Sequence, residues 1–199
     1  MDITATMIKE LRDRTGAGVM DCRAALTEAN GDLDRAAALI QQKGASTAAK
    51  KAGRETNQGL IESYIHPGNR LGALVEVNCE TDFVARTDAF RELARELAMH
   101  VAAANPQYVS LETLPEGELE QMRGRLRQEA TQEGQGKPEN VIDRIVDGRI
   151  RKFAEESCLL DQKWIRDDTK TIRDLIQQTV QQTSENIQVR RFARYGLGE

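Results

Sequence analysis

Residues 71–86 read Leu71-Gly-Ala-Leu-Val-Glu-Val-Asn-Cys-Glu-Thr-Asp-Phe-Val-Ala-Arg86, which predicts a strand followed by the first turn of a helix. Apolar residues recur at alternate positions over Leu71–Val77, as is typical of a strand with one buried face. Thr81 can cap the helix by accepting a hydrogen bond from a backbone N–H. Asp82 then lies favourably at the positive end of the helix dipole.

Phe83 stands in the first turn of this helix, where an aromatic ring either joins the core or is offered to a partner. A new cap could start at Thr87 and Asp88, and the sequence leaves open whether the helix is broken there. If the helix continues without a break, Phe83 shares a face with Phe90, seven residues later. Periodicity alone therefore favours the core for Phe83.

A small sheet with helices is predicted around this stretch. Leu60–Ile65 and Leu71–Asn78 flank a cluster of turn residues, which indicates an antiparallel hairpin, and alternation over Ile187–Tyr195 predicts a third strand. Helices are predicted, from apolar residues at helical spacing, at 82–104 and at about 119–130, 141–160 and 171–183, with a break at Gly134–Pro138. The pattern indicates the α+β class: a small three-stranded antiparallel sheet packed with helices on one side.

Three short helices are predicted in residues 1–53. The residues expected to begin or end them are Thr4, Gly16, Gly18, Gly31, Asp32 and Gly44. Residues 45–58 are small, polar and basic, which predicts a linker and divides the chain into domains at 1–53 and 54–199. Since so few residues make a marginal core, the bundle is expected to present a surface, with the loop Thr15–Val19, Met20 and Arg23 as the best candidate.

Composition narrows the class of protein. The chain has 199 residues and a net charge of −4, which disfavours a general nucleic-acid binder because such proteins carry a positive excess. Its three cysteines lie far apart, which indicates reduced packing thiols. The sequence has no apparent secretory signal and no run of about 20 apolar residues, so we expect a cytoplasmic protein that does not contact membranes.

No motif for metal binding or covalent catalysis stands out. The two histidines, His66 and His100, are far apart, and there is no Cys-x-x-Cys pair. The stretch Gly134-Gln-Gly-Lys137 lacks the spacing of a phosphate-binding loop, and Pro138 follows its lysine. The sequence thus predicts no metal, no cofactor and no catalytic residue, and a protein-binding role is the default.

Several stretches are similar to one protein family. The two most specific are Arg14-Thr-Gly-Ala-Gly-Val-Met-Asp-Cys-Arg-Ala-Ala-Leu26 and Val75-Glu-Val-Asn-Cys-Glu-Thr-Asp-Phe-Val-Ala85. Shorter agreements lie at Ile3–Ala5, Ala98–Ala103, Gly136–Pro138, Ile145–Arg149 and Arg190–Phe192. Over nearly its whole length the chain resembles translation elongation factor Ts, the guanine-nucleotide exchange factor for elongation factor Tu. The resemblance implies that the N-terminal helices form a bundle of the ubiquitin-associated type.

The resemblance also implies how the chain acts. In the family, the aromatic residue of the Thr-Asp-Phe-Val motif inserts into the nucleotide domain of the GDP-bound or nucleotide-free partner, promoting GDP release without a cofactor or covalent chemistry. By match, Thr81, Asp82, Phe83 and Val84 bind the partner, and Phe83 is the inserted wedge. The resemblance thus implies that Phe83 is exposed for a partner, whereas periodicity alone favours a position in the core.

Two further contacts follow from the resemblance. The family's helical bundle docks on the same nucleotide domain, and the matching positions here are Arg12, Met20 and Arg23. His100 matches a position that faces the partner's third domain. Longer members carry two sheet-and-helix halves, whereas this chain has room for one. We therefore expect a homodimer, with the exposed edge of Ile187–Phe192 as its seam.

Other readings stay open at the level of sequence. A non-catalytic adaptor could recognise a peptide or a ubiquitin-like surface through its helical bundle. A nucleic-acid binder would use Arg190, Arg191 and Arg194, although the acidic balance argues against it. An enzyme acting on small molecules has no residue in its favour.

Overall fold

A computed structural model of the chain describes residues 2–134 and 136–199. Within those residues, the helices are α1 (Ala5–Thr15), α2 (Val19–Glu28), α3 (Leu33–Lys51), α4 (Asp82–Ala85), α5 (Asp88–Ala104), α6 (Glu118–Glu133), α7 (Glu139–Ser157) and α8 (Ile172–Thr183). The strands are β1 (Gln58–Ile65), β2 (Leu71–Cys79), β3 (Lys163–Trp164), β4 (Asp167–Thr171) and β5 (Ile187–Gly196). The predicted α+β class is confirmed.

The chain forms two compact units. The first contains the residues up to Ala102 together with Arg173–Glu199, and the second contains Ala103–Ile172. The domain boundary near residue 53 stays a prediction. No helix among the described residues combines the length and apolar character needed to cross a membrane.

The first unit begins with the predicted three-helix bundle. Thr4 caps α1, with its hydroxyl oxygen 3.3 Å from the Met7 amide nitrogen, and Gly16 ends the helix with a φ of +66°. The bundle closes around a small apolar core whose buried members include Leu11, Leu26 and Ile40.

The prediction that Gly44 ends the third helix is wrong, since α3 continues to Lys51. A Cβ atom on Gly44 would lie 2.5 Å from the side-chain nitrogen of Gln181 in α8. That nitrogen donates to the carbonyl of Ile40 at 3.0 Å. Gly44 therefore serves close packing of α3 on α8 rather than helix termination.

The sheet of the first unit has the order β1-β2-β5, with both pairs antiparallel as predicted. On β2, Ala73, Val75 and Val77 are buried, whereas Leu74 between them is exposed. The register places Leu74 opposite Ser63 of β1 and Ala193 of β5, so these residues share the outer face of the sheet.

The second unit is built on a helical hairpin of α6 and α7. Its apolar seam contains Ala130, Ile142, Val146 and Ile150. The strands β3 and β4 form a small antiparallel pair that the sequence analysis does not predict, because their segment is polar and lacks alternation. Of the predicted break at Gly134–Pro138, Gln135 lies outside the described residues.

Candidate functional site

The site begins where β2 ends and α4 starts. Thr81 caps α4 as predicted, with its hydroxyl oxygen accepting from the amide of Val84 at 3.3 Å. Asp82 pairs with Arg86 at 2.8 Å, one helical turn later. This single turn therefore has a cap and an ion pair of its own.

A break separates α4 from α5, so the prediction of one helix over 82–104 is wrong. The Thr87 hydroxyl donates to the carbonyl of Val84 at 2.8 Å and accepts from the amide of Phe90 at 3.3 Å. Thr87 thus closes one helix and opens the next, because its short side chain competes with the helical backbone bonds.

Because of this break, Phe83 in α4 and Phe90 in α5 do not lie on one face of a single helix. The Phe83 residue is 76% exposed, whereas Phe90 is fully buried and Val84 is 4% exposed. Since aromatic rings normally bury large areas, an exposed ring on an anchored turn is the usual profile of an interface residue. Val84 instead holds the turn against the protein interior, so its predicted partner contact does not fit its burial.

Beneath the turn, Cys79 ties the backbone to the end of β2. Its thiol donates to the carbonyl of Thr81 at 3.1 Å. Burial, reinforced by the nearby charge of Glu185, raises the pKa of the Cys79 thiol to about 11. The thiol therefore stays protonated at neutral pH and remains a donor to Thr81.

The N-terminal bundle presents the other predicted contacts. Arg12, Met20 and Arg23 are all exposed, and Met20 is 75% exposed beside the half-exposed Val19. Arg12 lies in α1, and Met20 and Arg23 lie in α2. The turn between these two helices is fixed to α8, since the side-chain amide of Gln182 donates to the carbonyl of Gly16 at 3.1 Å. The structure thus presents this surface as expected, although a partner contact there stays a prediction.

His100 differs from the other predicted contacts because it is fully buried in α5. Its side chain offers no surface to a partner in this structure. Direct contact of His100 with a partner stays a prediction that its burial disfavours.

Arg190, Arg191 and Arg194, the residues that a nucleic-acid binder would use, all have partners within the chain. Arg191 lies 2.7 Å from Glu76, and Arg190 approaches the same carboxylate at 3.8 Å. The hydrogen bond from Arg191 lowers the pKa of the Glu76 carboxyl. Arg194 donates to the carbonyl of Ala102 at 3.0 Å and pairs with Glu199. These pairs reduce the charge available to a phosphate backbone.

Metal chemistry also lacks a site in the part of the chain that the structure describes. No group of three or more His, Cys, Asp or Glu side chains is placed there to hold a metal ion. Glu185 is a functional candidate that the sequence does not reveal, and it contacts Thr81 from 104 residues away. No spacing rule links residues so far apart, and only the fold brings them together.

Known proteins similar to this chain agree with the resemblance. A family model described as "Elongation factor TS" matches residues 9–199. Proteins named "Elongation factor Ts" from Thermoanaerobacter sp. (strain X514) and Caldanaerobacter subterraneus subsp. tengcongensis are each 55% identical over 197 residues, covering 99% of this chain and 96% and 98% of their own lengths. The protein of that name from Fervidobacterium nodosum is 50% identical over 199 residues, the full length of both chains. The chain therefore belongs to the elongation factor Ts family.

Proposed function

We propose that the chain is a guanine-nucleotide exchange factor for elongation factor Tu and that it promotes GDP release by inserting Phe83 into the nucleotide domain of that GTPase. Membership of the family supports the exchange role. The observation that supports the inserted residue is the exposed ring of Phe83 on a capped turn. The role requires no covalent chemistry, and translation elongation places it in the cytoplasm.

Exchange requires a difference in affinity between two states of the partner. A factor that binds the nucleotide-free GTPase more tightly than the GDP-bound form shifts the equilibrium towards release, whereas equal affinity shifts nothing. The coupling is reciprocal, so GDP or GTP must weaken the complex by the same factor. An exposed ring suits this task because it brings a large apolar area and loses few rotamers on binding.

Thr81 and Asp82 complete the proposed wedge. Both are exposed beside Phe83. Val84 contributes by anchoring the turn from within, which is consistent with its burial. Arg12, Met20 and Arg23 of the bundle form a second contact in the proposal, because all three are exposed and an exposed methionine suits an adaptable apolar contact with a partner.

We also propose that two chains associate through the outer face of the sheet. This face carries the exposed apolar residues Ile61, Ile65, Leu74 and Tyr195. The register also places Glu76 and Arg191 on it, where they form an ion pair at 2.7 Å. The edge of β5 suits strand addition less well, since a bulge at Arg190 interrupts the ladder of this strand. A second copy of the chain is the simplest partner for this face. In a dimer with two-fold symmetry, the same apolar residues of both chains pack against one another.

The experiment follows fluorescent GDP as it leaves purified elongation factor Tu after mixing with excess unlabelled GDP. We expect faster release of GDP with this protein and, reciprocally, dissociation of the binary complex by added GDP. A complex that forms but neither speeds release nor responds to GDP would contradict the exchange role and support the adaptor instead.

A further inference from the structure

Helix α4, the single turn that carries Phe83, is too short to be stable by itself. Helix α4 contains four residues. One isolated turn is unfavourable, because helix nucleation fixes several residues for a single backbone hydrogen bond. Contacts from elsewhere in the chain must therefore determine where the ring of Phe83 stands.

Glu185 supplies such a contact with both oxygens of its carboxylate. One oxygen accepts from the backbone amide of Thr81 at 3.0 Å, and the other accepts from the Thr81 hydroxyl at 2.6 Å. Hydrogen bonds to an ionised acceptor are about twice as strong as neutral ones. Glu185 thus holds the residue that precedes α4 at two points.

The second of these bonds also orients the cap of the helix. Since the Thr81 hydroxyl donates its only proton to Glu185, its lone pairs are left to accept from the amide of Val84, at 3.3 Å. The contacts form a continuous path from the Glu185 carboxylate through Thr81 to the first turn of α4. Phe83 is part of that turn.

Glu80 and Asn186, the neighbours of Thr81 and Glu185, form a similar hydrogen bond in which the two segments exchange the roles of donor and acceptor. Glu80 accepts from the backbone amide of Asn186 at 2.6 Å, while Glu185 accepts from the amide of Thr81. The β2–β5 pairing ends at Cys79 and Ile187, directly before these residues. Two side-chain carboxylates therefore continue the link between the strands where the backbone ladder stops.

We propose that Glu185 is a positioning residue for nucleotide exchange, acting through Thr81 to fix the direction in which Phe83 leaves the protein. The inference rests on the proposed function, because it assigns Glu185 a role only if Phe83 carries exchange. Glu185 is a clearer test position than Glu80, since Glu80 also pairs with Arg54 at 3.4 Å.

The variant Glu185→Gln tests the proposal, because an amide oxygen can accept only part of what the carboxylate accepts. We expect GDP release from elongation factor Tu to slow about tenfold, since small misplacements of a working group cost large factors in rate. In the Phe83→Ala background the same substitution should change the rate less than about twofold. Glu116→Gln, which makes the same charge change at an exposed residue, should leave release unchanged.

A second readout reports the position of the turn itself. Amide hydrogen exchange at Val84 and Ala85 should accelerate about tenfold in Glu185→Gln, while protection in the centre of β2 stays unchanged. A general loss of stability would instead speed exchange in both segments.

The outcomes separate the two proposals. Full activity in Phe83→Ala would overturn the proposed function, whereas a deficient Phe83→Ala with a fully active Glu185→Gln would overturn only the positioning role. Equal effects of Glu185→Gln with and without Phe83 would also overturn it. If Glu185→Gln fails to fold, Thr81→Val replaces it and removes the hydroxyl contact from the other side. Full activity in Thr81→Val would then count against the proposal.

Discussion

Two adjacent residues of one helical turn, Phe83 and Val84, differ sharply in their exposure to solvent. Phe83 lies mostly in solvent, and Val84 is buried. A ring in water contributes little to the stability of its own chain, whereas a buried aliphatic side chain contributes through the apolar area that it removes from water. Substitutions can therefore separate the proposed binding role of Phe83 from the anchoring role of Val84.

The first prediction concerns stability. Val84→Ala should lower the free energy of unfolding by about 1–3 kcal/mol, because it removes buried methyl groups and leaves a cavity. Phe83→Ala should change it by less than about 0.5 kcal/mol, as is usual for surface positions. Urea unfolding followed by circular dichroism measures both values. A larger loss in Phe83→Ala than in Val84→Ala would show that the ring belongs to the core.

The second prediction concerns Cys79. Its folded pKa of about 11 lies above the unfolded value, so the protonated thiol contributes stability that is fully present below the unfolded pKa. That contribution is lost as the pH rises through the folded pKa. The difference in unfolding free energy between the wild type and Cys79→Ala should stay constant from about pH 6 to 8 and shrink above about pH 9. A difference in unfolding free energy that already shrinks between about pH 6 and pH 8 would contradict the raised pKa of Cys79.

At the level of elements, the sequence predicted most of the structure and failed where tertiary contacts decide. The β1–β2 hairpin, β5 and the caps at Thr4 and Thr81 follow from alternation and capping chemistry, which are local. The sequence left open a break at Thr87 and Asp88, and only the hydrogen bonds of the Thr87 side chain show that the helix ends and restarts there. Gly44 was misassigned because its packing partner, Gln181, is distant in sequence.

The third prediction compares two helical glycines. Gly148 of α7 has open space around its missing Cβ, whereas a Cβ on Gly44 of α3 would meet the amide of Gln181. Gly148→Ala should raise the free energy of unfolding by about 0.5–1 kcal/mol, the usual gain of alanine over glycine within a helix. Gly44→Ala should gain less, or lose, because it displaces the hydrogen bond from Gln181 to Ile40. Equal gains in thermal or chemical unfolding would contradict the packing role of Gly44.

On the scale of the whole molecule, the chain exposes several large apolar side chains on one face of the sheet and one aromatic ring on a helical turn. Tyr195 on the sheet face is 71% exposed, about as much as Phe83. Contiguous exposed apolar groups on a protein usually mark interfaces. The sequence alone indicated association through length and family, but the choice of face over edge required the register of β1, β2 and β5.

The fourth prediction tests this face. The wild type should have a solution mass near twice 22.2 kDa, and Leu74→Asp should shift it towards the monomer, because a two-fold interface contains the new charge twice. Ile165→Asp places the same charge on an exposed apolar residue outside this sheet and should leave the mass unchanged. Light scattering at micromolar concentration measures the mass. A wild-type monomer, or a Leu74→Asp protein that remains dimeric, would contradict the proposed face.

The most direct test of the central claim is stopped-flow release of fluorescent GDP from elongation factor Tu with Phe83→Ala. We expect a folded protein whose stimulation of GDP release falls by at least about tenfold, since truncating an interface anchor typically costs about 2 kcal/mol or more. Ile165→Ala, which also truncates an exposed apolar side chain, serves as the control and should match the wild type. Release by Phe83→Ala at the wild-type rate would contradict the claim that this exposed ring drives exchange.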